Sequence, residues 1–253
     1  MRVAVLEKNG EKGFFLLDGD RARRFDGSPF EGARPGSFET TWSPADLRIP
    51  VRPSKIVCIG RNYAAHAKEL GNEVPKEPLL FLKAPSALVG PGGAIVLPKE
   101  SARVEHEAEL AVVIGRRVKR VAKEDALSAV FGYTCACDVT ARDLQKKDGQ
   151  WSRAKGFDTF CPIGPWIETE LDPKDRHITL SIDGKTRQDG RTSSMIFDVP
   201  SLIAYVSAAM TLEPGDVILT GTPEGVGPLA AGEHVVIAIE GIGELAVGVI
   251  AGS

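Results

Sequence analysis

The sequence predicts an α+β protein that is mainly β, and three observations carry that expectation. Short apolar runs, bounded by Gly, Pro, Asn or Asp, recur from one end of the chain to the other. Few stretches have the 3.6-residue period of a helix. The strands and helices do not alternate regularly, as they would in a parallel nucleotide-binding sheet.

From Arg2 to about Asp26 short alternating strands are split by Asn9-Gly10 and Asp18-Gly19. Both pairs are hairpin turn signals, because their residues tolerate positive φ. Residues 27–43 are rich in Gly, Pro and Ser without periodicity, and Pro50 and Pro53 interrupt the next segment. A loop or linker is expected there. The reading is a small N-terminal β domain with its linker over 1–52 and a catalytic domain over 53–253. In the second unit Lys55 to Gly60 reads as a buried strand, Asn62 to Leu70 as a short helix stopped by Gly71. Strands are expected at Pro78 to Leu82, Ala94 to Leu97, Glu107 to Ile114, Gly132 to Asp138, Ile178 to Ile182, Asp216 to Thr220, His234 to Ile239 and Leu245 to Ile250. Two further helices are expected at Lys123 to Val130 and Val199 to Met210.

With 253 residues, of which 43% are hydrophobic and 26% charged, the chain has the composition of a folded globular protein. A formal charge of −3 with dispersed basic residues argues against a nucleic-acid or membrane-surface partner. Glu7 and Lys8 come too early for a signal-peptide apolar stretch, and no run is long enough to span a bilayer. A cytoplasmic protein is expected. Cys58, Cys135, Cys137 and Cys161 form no C-x-x-C pair, so buried free thiols are expected rather than a zinc or redox site.

The chemistry concentrates on acids. Along Glu107-Ala-Glu109 a strand would point both carboxylates the same way, about 7 Å apart. An isolated E-x-E is more often a solvated strand face. Here, however, the strand turns apolar on both faces within two residues, so the acids border a core where like charges repel unless a cation compensates. Asp138, after the apolar stretch Tyr133 to Cys137, completes an oxygen-only set. Three carboxylates without His or Cys suit Mg²⁺ or Mn²⁺, with Ca²⁺ as a substitute, and leave coordination positions for water and a bidentate substrate.

Elsewhere, His66 and Glu69 are three apart on one helical face, where the acid orients the imidazole for water activation. The same spacing is more often an exposed surface pair. Lys155 reads by itself as a solvated loop lysine. Leu219-Thr-Gly-Thr-Pro-Glu-Gly-Val-Gly227 is a Gly-rich turn whose backbone N–H groups and Thr222 hydroxyl could hold a carboxylate. It lacks the Lys-Ser/Thr ending of a P-loop, which excludes nucleotide binding on this motif.

Seven motifs in order, Gly60-Arg-Asn-Tyr-Ala-x-His-x-x-Glu69, Phe81-Leu-Lys-x-Pro-Ser86, His106-Glu-x-Glu-Leu110, Asp138-x-Thr-Ala-Arg-Asp-x-Gln145, Ala154-Lys-x-Phe157, Thr192-Ser-Ser-Met-Ile-Phe197 and Thr220-Gly-Thr-Pro-x-Gly-Val-Gly227, resemble the fumarylacetoacetate hydrolase (FAH) family. The resemblance spans Lys55 to Val249. It implies a mixed β-sheet roll, usually a homodimer, with Mg²⁺ or Mn²⁺ on Glu107, Glu109 and Asp138. Lys155 then matches an active-site lysine, and His66 with Glu69 a catalytic dyad on a segment that orders over substrate in the acylpyruvase-like branch. Arg142, Gln145 and Thr222 match substrate-contacting positions, and Arg61 and Lys83 are assigned there too. The short N-terminal unit favours the branch of acylpyruvases, oxaloacetate decarboxylases and 2-hydroxyhepta-2,4-diene-1,7-dioate isomerases. The implied activity is a divalent-metal-dependent hydrolase that cleaves the C–C bond of an acylpyruvate through a metal-stabilised pyruvate enolate. Oxaloacetate decarboxylation and dienedioate isomerisation are alternatives on the same small 2-oxo acid site. A non-catalytic binding module stabilised by a metal is the alternative from another class.

Overall fold

The computed structural model describes residues 1–8 and 10–252. Of the first expected hairpin turn, Gly10 has the expected positive φ (84°), and Asn9 lies outside the described residues. The architecture is a mixed β-sheet roll with few helices, as expected. A 12-stranded sheet runs in the order Pro35–Thr41, Arg21–Phe25, Glu11–Asp18, Arg2–Lys8, Cys161–Glu168, Val130–Cys137, Ala108–Ile114, Val217–Leu219, Ile56–Gly60 and Leu79–Lys83, with Leu47–Arg48 and Leu88–Val89 attached off this path. A five-stranded sheet orders Lys185–Arg191, His177–Ile182, His234–Ile239, Gly243–Ala251 and Ala94–Leu97. A three-stranded sheet joins Thr140–Ala141, Val104–His106 and Gly227–Pro228.

The core lies between the two larger sheets, where Ala108–Ile114, Val130–Cys137 and Cys161–Glu168 pack on strands of the five-stranded sheet. Every residue of Ala108–Ile114 is buried, so this strand is covered on both faces, and its sequence reads as a nearly continuous apolar run. In the five-stranded sheet the pattern alternates instead. Ile178, Leu180 and Ile182 of one strand and Val235, Ile237 and Ile239 of its neighbour point inward. All four cysteines are free and buried, as expected.

The N-terminal strands have a small apolar cluster of their own, built on Leu6, Phe15 and Leu17, while backbone pairing of Arg2 with Glu168 and Val3 with Ile167 makes them continuous with the large sheet. Among the described residues four α-helices decorate the sheets: α1 (Ala64–Glu69), α2 (Arg142–Asp148), α3 (Ser152–Gly156) and α4 (Val199–Ala209). In α4 the Asp198 side chain caps the first turn by accepting from Ser201 N at 3.0 Å, and Pro lies in the first turn where no donor is lost.

Some expectations are corrected. The helix expected at Lys123 to Val130 is a 3₁₀ segment, Lys123–Ala129, because the chain must straighten into the strand that starts at Val130. Pro35–Thr41, expected to be irregular, forms an edge strand against Arg21–Phe25, and an edge strand with a free face needs no apolar period. Cys161–Glu168 and Lys185–Arg191 are strands that the sequence pattern does not predict. The first carries two prolines and a glycine, and the second is a polar edge strand.

One buried carboxylate ties the second unit together. Asp216 accepts from Ser54 N (3.0 Å), Ser54 Oγ (2.7 Å), Lys55 N (3.1 Å) and Glu213 N (2.8 Å), and pairs with the Lys55 ammonium. Burial alone would raise its pKa. The Glu213, Lys55 and Ser54 donors outweigh burial and hold it below the ordinary carboxylate value of 3.8. A depressed native pKa contributes stability above the unfolded value, and that contribution is lost as pH falls through the native value. Asp216→Asn is therefore expected to lower stability by about 2–4 kcal/mol at pH 7. In urea unfolding the gap between variant and parent narrows below about pH 4, and an equal gap at pH 7 and pH 3 would contradict this account.

Candidate active site

The carboxylates meet where strands of two sheets join. Glu107 was expected inside one continuous strand, but the strand breaks there: Val104–His106 belongs to the three-stranded sheet and Ala108–Ile114 to the large one. Ala108 pairs with Cys137, and Asp138 N donates to Glu107 O at 2.8 Å, so Asp138 leaves its strand beside Glu107. One oxygen from each of Glu107, Glu109 and Asp138 lies within 4.8 Å of the others, and all three residues are buried. The sequence pairing of two near acids with a distant third is thus realised in space.

Cations arrive from three other elements. Lys155 Nζ donates to Glu107 Oε2 (2.9 Å) and Asp138 Oδ2 (2.6 Å). Lys155 is on the short helix α3 rather than in a loop, and it is buried beside the acids, not solvated as the residue by itself would read. Arg142, the first residue of α2, donates from Nη2 to Glu107 Oε1, from Nε to Glu105 Oε2 (2.6 Å) and from Nη1 to Gln145 Oε1 (2.7 Å). Lys83 Nζ donates to Asp138 Oδ1 (2.7 Å) and Val139 O (3.1 Å). Expected to contact substrate, Lys83 is instead fully enclosed behind Asp138 and is not among the residues lining the cavity.

The electrostatics follow from this arrangement. Burial would raise the Glu107 pKa, yet Lys155, Arg142 and His66 hold it well below the carboxylate range. Glu109 goes the other way: burial, then Asp138 and Glu107, push it well up, against the pull of Lys155 and the Gly221 N–H. For Lys155 burial opposes the charge, but Asp138 and Glu107 raise its pKa and keep it an ammonium.

Glu105, Glu107, Glu109 and Asp138 face three buried cations, Lys83, Lys155 and Arg142, while Arg103 pairs with Glu105 from the exposed side. Its donor set is oxygen only. In an octahedral shell with bonds of about 2.1 Å, opposite ligands are about 4.2 Å apart. Three carboxylate oxygens all within 4.8 Å of one another are near that span, and an oxygen-only set suits a hard divalent ion.

The carboxylates open on a small cavity, of about 50 Å³, that is also lined by Arg61, His66, Gln145, Trp151, Lys155 and Thr222. His66 is buried on α1, with Nδ1 at 3.3 Å from Glu69 Oε2. Glu69 is not itself on the wall. Its other oxygen accepts from Gly225 N at 3.0 Å. The backbone N–H groups of the Gly-rich turn were expected to be available to a ligand, but Gly221 N is taken by Glu109 Oε2 (2.6 Å) and Gly225 N by Glu69. Of that turn Thr222 lines the cavity. Arg61 has a φ of 57°, a costly conformation for a non-glycine residue, at the point where the chain turns from its strand toward α1.

Two residues escaped the sequence reading. Asn62 donates to Thr220 O (2.7 Å) and Phe197 O (3.0 Å) and accepts from Phe197 N (2.8 Å), fixing the start of the dyad segment. Its position between Arg61 and Tyr63 in a motif already singled out was the available signal. Gln188 bonds to Ala108 and Thr222 from a polar edge strand and carried no signal at all.

The family model for the fumarylacetoacetate (FAA) hydrolase C-terminal domain matches residues 55–250. The chain belongs to the fumarylacetoacetate hydrolase family. Within it, a mitochondrial oxaloacetate tautomerase of Arabidopsis thaliana is 50% identical over 198 residues, 76% of this chain and 89% of that one. The crystal structure of a 5-carboxymethyl-2-hydroxymuconate delta-isomerase from Mycobacterium smegmatis superposes with a TM-score of 0.92 at 44% identity, covering all of both chains. Fumarylpyruvate hydrolase from Pseudomonas aeruginosa, in complex with Mn²⁺ and pyruvate, superposes with a TM-score of 0.75 at 36% identity over 81% of this chain and 91% of that one. As a member of the FAH family the protein is an enzyme. Among the described residues no helix is long and apolar enough to cross a membrane.

A ligand that binds only the folded state adds about 2.7 kcal/mol at a hundred times its Kd. Mn²⁺ or Mg²⁺ is accordingly expected to raise the melting temperature of this FAH-family chain, and EDTA to reverse the gain. In Asp138→Asn most of the gain should vanish. A metal-induced shift unchanged in that variant would place the ion elsewhere.

Proposed function

We propose that the enzyme hydrolyses the C3–C4 bond of acylpyruvates, that is, of 2,4-dioxo acids. The observation that carries this reading is the buried His66 imidazole, paired with the exposed Glu69, which lines the same cavity as the three carboxylates and Lys155. Mg²⁺ or Mn²⁺ on Glu107, Glu109 and Asp138 would supply Lewis acidity to the 1-carboxylate and 2-oxo oxygens of the substrate.

The protein's own groups divide the remaining work. With Nδ1 engaged by Glu69, the other imidazole nitrogen is the one free to take a proton from water, and Glu69 offsets the positive charge that His66 gains. Hydroxide adds to the C4 carbonyl, and the C3–C4 bond then breaks with its electron pair passing to the enolate of pyruvate, the acyl part leaving as a carboxylic acid. Lys155 stays charged in this environment, so it acts by stabilising the negative charge that develops rather than as a base. Gln145 gives its oxygen to Arg142, which leaves its amide N–H groups for a substrate oxygen. Arg61, on the cavity wall with no ion-pair partner among the described residues, adds a cation for an anionic substrate. Proton return to C3 of the enolate gives pyruvate.

A second reading is supported by the oxaloacetate tautomerase relative. Keto–enol exchange of oxaloacetate needs a proton moved between C3 and the 2-oxygen, with no water consumed, and decarboxylation of the same acid also passes through a pyruvate enolate. Dienedioate isomerisation differs only in where the proton is placed. Membership of an enzyme family speaks against the non-catalytic binding module.

His66→Ala is expected to lower acetylpyruvate hydrolysis by about 10²–10⁴-fold while oxaloacetate decarboxylation persists, both followed by pyruvate release with Mg²⁺ or Mn²⁺ added. Parental hydrolysis in the variant would remove His66 from water activation. A parent that equilibrates enol and keto oxaloacetate but leaves acetylpyruvate intact would favour the second reading over the first.

A further inference from the structure

Gln188 lies in the edge strand Lys185–Arg191, yet its side chain is completely buried. Its Oε1 accepts from Ala108 N (2.9 Å) and lies 3.0 Å from His106 Nδ1, while its Nε2 donates to Pro223 O (2.8 Å) and to Thr222 Oγ1 (2.7 Å). The orientation of this amide is forced. Ala108 N–H can only donate and the Pro223 carbonyl can only accept, so a flipped amide would set donor against donor and acceptor against acceptor.

The consequence falls on Thr222. A hydroxyl has one hydrogen to donate, and the Thr222 oxygen already receives one from Gln188. That hydrogen must therefore point to some other acceptor. Among the described residues no protein atom accepts it, and Thr222 lines the cavity beside Glu109 and Lys155.

We propose that Gln188 is a positioning residue that makes Thr222 an obligate donor into the cavity, aimed at an anionic oxygen of the substrate. This rests on the reading of the cavity as a 2-oxo acid site. Without the Gln188 amide the Thr222 hydroxyl is free to turn, and the cavity loses a fixed donor. The effect is one of binding more than of chemistry, because a substrate carboxylate carries its charge throughout the reaction. Such an interaction is made equally in ground and transition states, so its loss raises KM and leaves kcat nearly intact.

The test is a double-mutant cycle of Gln188→Met and Thr222→Val, with Mg²⁺ present, read by calorimetric binding of oxalate, a planar dianion shaped like pyruvate enolate, and by KM and kcat on acetylpyruvate. A hydrogen bond to a charged acceptor corresponds to about a tenfold loss or more. Each single variant is expected to weaken oxalate about tenfold, with KM rising and kcat held, and the double variant to be no weaker than either. Unchanged oxalate binding in Gln188→Met, or losses that simply multiply in the double variant, would overturn the proposal. Should Gln188→Met fail to fold, Gln188→Ala removes the donor to Thr222 without leaving a side chain to overpack the site. It is expected to weaken oxalate at least as much, and parental affinity in it would be equally fatal. A parent chain that binds oxalate in this pattern but turns over no 2-oxo acid would defeat the proposed function and leave the role of Gln188 standing.

Discussion

Four carboxylates are buried at the junction of two sheets, and the surrounding structure is organised by the need to make that tolerable. Unpaired, each would cost several kcal/mol in the apolar interior or would take up a proton. Glu109, which has a backbone N–H but no directly bonded cation among the described residues, feels this cost as a raised pKa. Glu107 shows the opposite, since Lys155 and Arg142 both reach it. These cations come from the end of an edge strand (Lys83) and from the helices α2 and α3 (Arg142 and Lys155), so the positions of those elements are specified by charge as well as by apolar packing. The helices are seven and five residues long, too short to persist by themselves. Their ion pairs to the carboxylates are part of what holds them.

The turn after Val217–Leu219 joins this cluster to the dyad. Thr220 O accepts from Asn62, Gly221 N donates to Glu109, Thr222 Oγ1 and Pro223 O accept from Gln188, and Gly225 N donates to Glu69. The turn needs its glycines at two of these places. At Gly221 (φ 95°) a Cβ would sit 2.7 Å from the Asn62 Cβ, and at Gly225 (φ 94°) 2.2 Å from Arg187 O. One short segment therefore sets the position of a clustered carboxylate, a cavity hydroxyl and the acid beside His66. A shift in it would be felt by all of them together.

What could be read from the sequence was whatever a local pattern encodes. The Glu107-x-Glu109 pair, Asp138 at the end of an apolar strand, and His66 with Glu69 one helical turn apart each depend on spacing within a few residues, and the structure gathers them about one cavity and its wall. The central strands were legible because burial on one or both faces leaves an apolar signature. Lys83 was misread because whether a lysine points at a ligand or behind a carboxylate depends on a partner 55 residues away. Gln188 was invisible for the same reason, its partners lying 34 to 82 residues distant. Pro35–Thr41 and Lys185–Arg191 are edge strands, and an edge is held by backbone pairing that leaves little trace in side-chain pattern.

The layout also separates two kinds of demand. On the proposed reading, stabilising negative charge on the substrate draws on the carboxylate cluster and Lys155, all buried and each cross-linked to another element. Moving a proton draws on α1, a six-residue helix whose first and last parts are held by the Asn62 and Glu69 contacts to other segments. Charge stabilisation is thus built into the rigid core of the roll, while proton transfer depends on a segment with little stability of its own. A reaction that needs only an enolate held in place tolerates displacement of that segment, whereas one that must generate hydroxide does not. Chemistry on such a scaffold can therefore diverge by changes in how the dyad segment is docked, without any change in the carboxylate cluster.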